Sequence, residues 1–475
     1  MTQVNPRPIK NIAIIGAGPS GLATAKYLLA EKSFSRIVIF EQRGSVGGTW
    51  NYTPLQSKSK LSTNDSFKGY PTSTATSVVT AGLPDFNTPM YDGLESNLPH
   101  MLMQFSDTPF PATTQLFPSR ETVLGYLESY ADEIRSLISF HYQVISVTPS
   151  AKDEPHGWDV KVQETTRARS SKVERFDAVI CANGHCDWPL LPDIKGLDAW
   201  AELYPDSLFH SVSYKNPQPF KNKRTLLVGA GPSAADLIHQ IGPISASPLL
   251  IAQREPSPYH TPSATTSSHP ALAELLPHQR AARFANNSTE PDIEAIILCT
   301  GYTHRFPFLA PIAPNISRAD EALDAIPLYR HIFHTHHPTL AFVETPKKII
   351  PFPLAECQAA VIARVFSSRL PLLPGLQWQD TALDEEKAPA GKAHVLGPPR
   401  DLEYMNAMYR WSDQAAARED GGKGKMPRWW DARARWLRME APGMKKAFNM
   451  RGEARRIVRG FGELGFFFEQ GQEGD

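Results

Sequence analysis

Two short glycine-rich stretches carry the residue types and spacing of a phosphate-binding turn. The first sets Gly16, Gly18 and Gly21 between an apolar run, Ile12 to Ile15, and a helix-spaced series of Leu22, Ala25, Leu28 and Leu29. In such a turn the first glycine permits a tight bend, the second lets a pyrophosphate approach the backbone, and the third lets helix and sheet pack closely. Free N–H groups at the helix start then face the phosphates. Glu41 ends the following strand, Arg36 to Phe40, in the register where a carboxylate takes a ribose hydroxyl. The second stretch repeats the pattern with Gly229, Gly231 and Ala234, between a strand at Thr225 to Val228 and a helix from Ala235 to Ile241. After its next strand, Leu249 to Ala252, the acid's place is held by Gln253 and Arg254, and an arginine there suits a ribose 2′-phosphate. Two nucleotide sites of different character follow, one for FAD and one for NADPH.

The elements that position these turns read as an α/β fold. A chain of 475 residues is long enough for two or three domains. Arg120 to Arg135 has helical apolar spacing, Phe140 to Thr148 and Trp158 to Gln163 alternate as strands, and Phe176 to Cys181 is a buried strand. Leu190 to Trp200 reads as a linker, Ala271 to Leu276 as a short helix, Ile293 to Cys299 and Leu340 to Val343 as strands, and Glu356 to Phe366 as a helix. Thr53 to Pro99 has the Ser, Thr and Pro content of a long loop, and Trp411 to Arg459 reads as amphipathic helices on the outside.

Lysine plus arginine number 49 and aspartate plus glutamate 49, so no net field recommends nucleic acid or an anionic membrane as partner. Four cysteines make no disulfide framework, and with no signal-peptide core or spanning run the expectation is a cytoplasmic protein.

Taken in order, GAGPSG, GGTW, MYDGLESNLP, FPSRETVLGYL, CANGH, HSVSY, GAGPSAAD, CTGY and PFPLAECQAA give the chain a family likeness. It resembles the flavin-containing monooxygenases, and among them the fungal thiol-oxidising, dimethylaniline monooxygenase-like branch. The resemblance implies two Rossmann-type domains, with an NADPH domain at 193–304 inserted in an FAD domain made of 1–192 and 305–475. It places Pro19, Ser20, Gly48, Thr49, Trp50 and Gln358 with the first glycines at FAD, and Ser233 with the second glycines at NADPH. Asn97, in MYDGLESNLP, falls beside the flavin's oxygen-reacting face and is the catalytic candidate. NADPH would reduce FAD, oxygen would add as a flavin hydroperoxide, and a soft sulfur or nitrogen nucleophile of a small molecule would take the distal oxygen. A homodimer stays open, and the substrate is not named by the sequence.

Two departures stand out. The family's aromatic–glycine–histidine signature keeps His210 and Tyr214 but has Tyr204 and Asp206 at its leading positions. Glu344 stands where a glycine is usual, and a carboxylate there would clash with or repel a flavin. Cys181 and Cys186, in C-x4-C spacing, keep a disulfide-reductase reading open, and a nucleotide-binding relic without turnover is the other alternative.

Overall fold

The computed structural model describes residues 8–53, 86, 88–150, 157–166, 169–259, 263–312, 323, 326–371 and 394–469. Most of the long loop expected between Thr53 and Pro99 lies outside the described residues.

The chain opens with β1 (Asn11–Ile15), α1 (Pro19–Glu31) and β2 (Arg36–Glu41). A short helix, α2 (His100–Met103), precedes α3 (Arg120–Ala131), which ends in 3-10 turns through residue 137. Ser119 caps α3 by accepting from Thr122 N. Then come β3 (Ile138–Phe140), β4 (Tyr142–Pro149), β5 (Trp158–Glu164), β6 (Ser171–Phe176) and β7 (Ala178–Cys181). The apolar run expected as one strand from Phe176 is thus divided between two sheets. Asp177 makes the break: its carboxylate accepts from the backbone N–H of Lys10 at 2.8 Å and of Asn11 at 2.7 Å.

A second unit follows with α4 (Leu197–Leu203), β8 (Leu208–His210), β9 (Thr225–Val228), α5 (Pro232–Ile241), β10 (Leu249–Ala252), β11 (Thr266–His269), β12 (Leu272–Leu276), β13 (Ala281–Phe284), β14 (Thr289–Glu290) and β15 (Ala295–Leu298). The chain closes with β16 (Leu328–Tyr329), β17 (Phe333–His334), β18 (Leu340–Phe342), α6 (Pro351–Phe366), α7 (Arg400–Asp413) and α8 (Ala432–Met450).

The main sheet runs β16-β17-β18-β7-β1-β2-β3, and a second sheet runs β11-β10-β9-β15-β8. Every strand of the second sheet lies in sequence between β7 and β18 of the first, so a whole sheet is inserted into another. Within each, the glycine-turn strand sits centrally and parallel to its neighbours, β1 between β2 and β7, and β9 between β10 and β15. Such strands are buried on both faces, and Ile12, Ala13, Ile14, Leu226 and Leu227 are fully so.

Three expectations are corrected. Ala271 to Leu276 is no helix: β12 pairs antiparallel with β13, because a partner strand overrides the helical preference of Ala, Leu and Glu. The linker at Leu190 to Trp200 ends inside α4, whose Trp200 is fully buried. The C-terminal helices enter the main core, with Met405, Met444 and Phe448 fully buried beside Leu28 of α1 and Ile362 of α6.

Candidate active site

The two glycine turns are built alike. Gly16 has φ +100 and its N–H donates to Phe40 O at 2.8 Å; Gly229 has φ +116 and its N–H donates to Ala252 O at 2.9 Å. A Cβ on Gly16 would lie 2.7 Å from Ala182 O, and one on Gly229 would lie 2.4 Å from Cys299 O. Both positions therefore need glycine for conformation and for space. A Cβ on Gly21 would meet Gly16 O at 1.9 Å, so Gly21 sets how closely α1 lies on the sheet. The second-turn counterpart, Ala234, is fully buried. Gly18 and Gly231 are the helix N-caps and offer no side-chain cap, which leaves first-turn N–H groups for an anion. A Cβ on Gly231 would have no atom within 4 Å, and one on Gly18 only the Gly48 backbone, at 3.5 Å. That open ground above each helix start fits a pyrophosphate.

The turns differ in cover. Pro19, Ser20 and Gly21 are buried, whereas Gly231 and Pro232 are exposed and Ser233 is half-buried. The GGTW loop accounts for part of this: Gly47 N donates to Ala17 O at 3.0 Å, and Gly48 backs onto Gly18. Thr49 Oγ1 is buried with no partner among the described residues, a donor left for a ligand. Trp50 meets Phe352 of α6 edge-on, with ring centroids 6.3 Å apart.

Glu41 is buried and accepts from Ala17 N and Arg43 N, each at 2.8 Å. Burial pushes its carboxyl up, and those two amides pull it back. Arg254 is exposed in the turn after β10, where Gln253 N donates to His269 O at 3.0 Å. Asn97 is exposed and makes no side-chain hydrogen bond among the described residues, so both ends of its amide are available. Gln358 is fully buried and its amide is used inside the protein: Oε1 accepts from Glu344 N at 2.8 Å and Nε2 donates to the Tyr404 hydroxyl at 2.9 Å.

Glu344 follows β18 at φ +63, and its carboxylate accepts from Ser20 Oγ on the first turn of α1. Burial pushes its carboxyl up to about 7. Beyond it, the segments leaving β7 and β15 run side by side. Leu190 N donates to Gly301 O at 2.9 Å, and Thr303 N to Trp188 O at 2.9 Å. His185 and His304 stack across them at 4.5 Å. Burial holds His185 at about 4 and, with His185 and Lys347 adding to it, drives His304 far below the usual imidazole range. Both rings are buried with nitrogens that meet no hydrogen-bond partner within bonding geometry among the described residues.

The signature residues serve as framework. His210 Nδ1 accepts from Val212 N at 3.1 Å, and Tyr214 donates to Gln240 Oε1 at 2.8 Å and meets Tyr91 edge-on. Sequence reasoning missed Lys215, whose buried ammonium donates to Thr88 O at 2.8 Å and Met90 O at 2.9 Å, clasping the Asn97 segment to the second unit. It also missed Thr49 Oγ1 as an orphaned donor and the His185–His304 stack. Cys181 sits in the core at the end of β7 and all four cysteines are free, so the C-x4-C pair forms no disulfide here. No helix among the described residues is long and apolar enough to cross a membrane.

The model of the flavin-binding monooxygenase-like family matches residues 80–258 and 268–393, and an NAD(P)-binding Rossmann-like model matches residues 14–64. The thiol-specific monooxygenase of Saccharomyces cerevisiae is 29% identical over 406 residues, covering 83% of each chain. Flavin-containing monooxygenase FMO GS-OX-like 4 of Arabidopsis thaliana is 31% identical over 380 residues, covering 77% of this chain and 78% of that one. Among solved structures, the S-allyl-L-cysteine S-oxygenase of Allium sativum superposes with a TM-score of 0.75 at 27% identity, covering 96% of each chain.

Proposed function

The chain belongs to the flavin-binding monooxygenase-like family, and we propose that it oxygenates sulfur in a small thiol or sulfide, a reading supported by its similarity to a thiol-specific monooxygenase and an S-allyl-L-cysteine S-oxygenase. It is an FAD- and NADPH-dependent monooxygenase acting on soft sulfur or nitrogen nucleophiles, with a Rossmann-like NAD(P)-binding domain fused to an FAD-binding domain. Sulfur is favoured over nitrogen by the relative named thiol-specific monooxygenase, and the assignment of the two turns is carried by their unequal cover. The buried turn suits a cofactor kept through many turnovers, and the exposed one suits a nucleotide that comes and goes.

In this reading the α1 first turn, with Gly16, Gly18, Pro19, Ser20 and Gly21, holds the FAD pyrophosphate, and Glu41 its ribose. Gly48, Thr49 and Trp50 line the flavin side. Gly229, Gly231, Ser233 and Ala234 hold the NADPH pyrophosphate, and Arg254 its 2′-phosphate. FAD binding then falls to 1–192 with 305–475, and NADPH binding to 193–304. The flavin supplies hydride acceptance and oxygen transfer, so the chain is asked for no acid–base pair. Asn97, polar and uncharged, orients groups at the reaction face without giving up a proton. Gln358 acts at one remove, by fixing the Glu344 backbone. Four free cysteines suit a reducing compartment, and we place the protein in the cytoplasm.

The test is a purified yellow protein that NADPH bleaches and air restores, challenged with thiols, sulfides and amines including N,N-dimethylaniline. Substrate-stimulated NADPH consumption is expected to be greater for sulfur compounds than for amines, with a sulfide gaining one oxygen and a thiol appearing as its disulfide, because the sulfenic acid first formed condenses with a second thiol and loses water. An amine preference would refute the sulfur assignment.

A further inference from the structure

The α1 phosphate cradle has a carboxylate bound to it. Ser20, buried on the first turn, spends its hydroxyl on Glu344, and the Glu344 backbone is fixed from behind by Gln358. The residue sits at φ +63, in the left-handed region that glycine enters freely and glutamate rarely does. Its place follows from topology: β18, β7 and β1 are adjacent and parallel, so the residue after β18 emerges at the same sheet edge as the glycine turn after β1. A pyrophosphate on that turn would bring negative charge against Glu344, and like charges this close do not both stay ionised.

We propose that Glu344 is a cofactor-contacting residue that must be a neutral carboxylic acid when FAD is seated, so that FAD binding to this chain takes up one proton. This rests on the first turn being the FAD site. As an acid, Glu344 becomes a donor to a cofactor oxygen, whereas as a carboxylate it can only accept. Among the described residues no salt bridge to Glu344 is formed: α1 presents Ser20, and α6 presents Gln358. The stretch after β7 presents Cys186, with Asp187 and His185 beyond it. The stretch after β15 presents His304 against the Glu344 backbone, and Lys347 lies three residues along its own loop, near Cys186 and His304. The Cys186 thiol is pushed up to about 12 by burial and Asp187 is an exposed carboxylate, so between pH 6.5 and 8.5 the group changing most is Glu344, near 7.

The sign follows from those positions. Below pH 7 Glu344 already carries its proton and FAD affinity is level. Above pH 7 each bound FAD must take a proton from solvent, and Kd rises by up to about tenfold per pH unit.

The experiment titrates the full chain, stripped of flavin, with FAD at several pH values by fluorescence quenching. Calorimetry in two buffers of different ionisation enthalpy then counts protons taken up at pH 8. The unaltered chain is expected to show the rising Kd and close to one proton per FAD. Glu344→Gln, which keeps the shape, should be level across the range with no proton taken up. Glu344→Gly, which suits the backbone, should be level and tighter at pH 8. A level profile in the unaltered chain, or a slope surviving in both variants, overturns the proposal. So does a Glu344→Gln variant that is weaker at every pH, which would mean the ionised carboxylate is itself a ligand. Failure to bind FAD at any pH would instead remove the cofactor assignment of the turn.

Discussion

The Tyr91 hydroxyl donates to Asp236 Oδ2 at 2.7 Å across the boundary between the Asn97 segment and α5 of the second unit. Both side chains are buried, and burial with the neighbouring Asp236 charge pushes the phenol well above its usual range. The bond is charge-assisted and fixes the Asn97 segment to α5. Tyr91→Phe should cost about 1.5–3 kcal/mol, because it leaves a buried carboxylate short of a donor. Chemical denaturation should show the lower midpoint with FAD content unchanged.

Gly18 and Gly21 should fail differently. A Cβ at Gly18 meets only Gly48, at 3.5 Å, so Gly18→Ala should fold yet lose FAD, its methyl lying on the phosphate ground. A Cβ at Gly21 falls 1.9 Å from Gly16 O, so Gly21→Ala should yield little folded protein. Flavin-to-protein absorbance and circular dichroism on both variants check this. A Gly18→Ala variant that keeps full flavin would remove the first turn from the FAD site.

Arg254, exposed beyond β10, is the residue proposed above to read the 2′-phosphate. A bidentate contact of this kind gives on the order of 1.5–3 kcal/mol, or about ten- to hundredfold discrimination. Arg254→Ala should erase most of the NADPH over NADH preference in anaerobic flavin reduction. An unchanged ratio would assign the phosphate to another group.

The Asn97 amide makes no hydrogen bond among the described residues, so its loss should leave folding, FAD content and reduction by NADPH intact. Asn97→Ala should instead release hydrogen peroxide in place of oxygenated product, with a loss of about 2.7–4 kcal/mol by analogy with one donor in an oxyanion site. NADPH consumed, peroxide released and product formed are measured together. A variant as tightly coupled as the parent would take Asn97 out of the reaction.

Glu356 on α6 supplies a pH dependence of stability. It is fully buried and accepts from Ser106 N and Oγ, each at 2.8 Å, yet burial still pushes it up to about 7 from a usual 4.5. Its contribution is whole below about pH 4.5 and is lost as pH rises to 7, on the order of 3 kcal/mol in all. Glu344 declines over the same window, so Glu356→Gln should reduce, not abolish, the fall in unfolding midpoint between pH 5 and pH 8. An undiminished fall would show that the buried acid is not its source.

Both glycine turns and the strands around them were legible because the signal is local: three small residues, an apolar run and one residue at the end of the next strand. β12 was illegible because Leu272 to Leu276 has helix-favouring composition and becomes a strand only against β13, with Glu274 also bridging Lys195. The Tyr91–Asp236 and Ser20–Glu344 pairs join residues 145 and 324 positions apart, and no periodicity encodes such a meeting. Glu344 was conspicuous as a type out of place, but its partner required the parallel order of β18, β7 and β1. Gln358 reads as a cofactor contact, and nothing in its sequence neighbourhood signals that its amide holds the Glu344 backbone and the Tyr404 hydroxyl instead.

The paired segments leaving β7 and β15 give the second unit portability. Pro189 and Tyr302 bridge one another, so the inserted sheet begins and ends at a single doorway in the host. A nucleotide module with neighbouring termini could be spliced there without cutting a strand of the main sheet. On the proposed assignment of NADPH to 193–304, a chimera that keeps its flavin while changing its reductant would be the engineering use of that doorway.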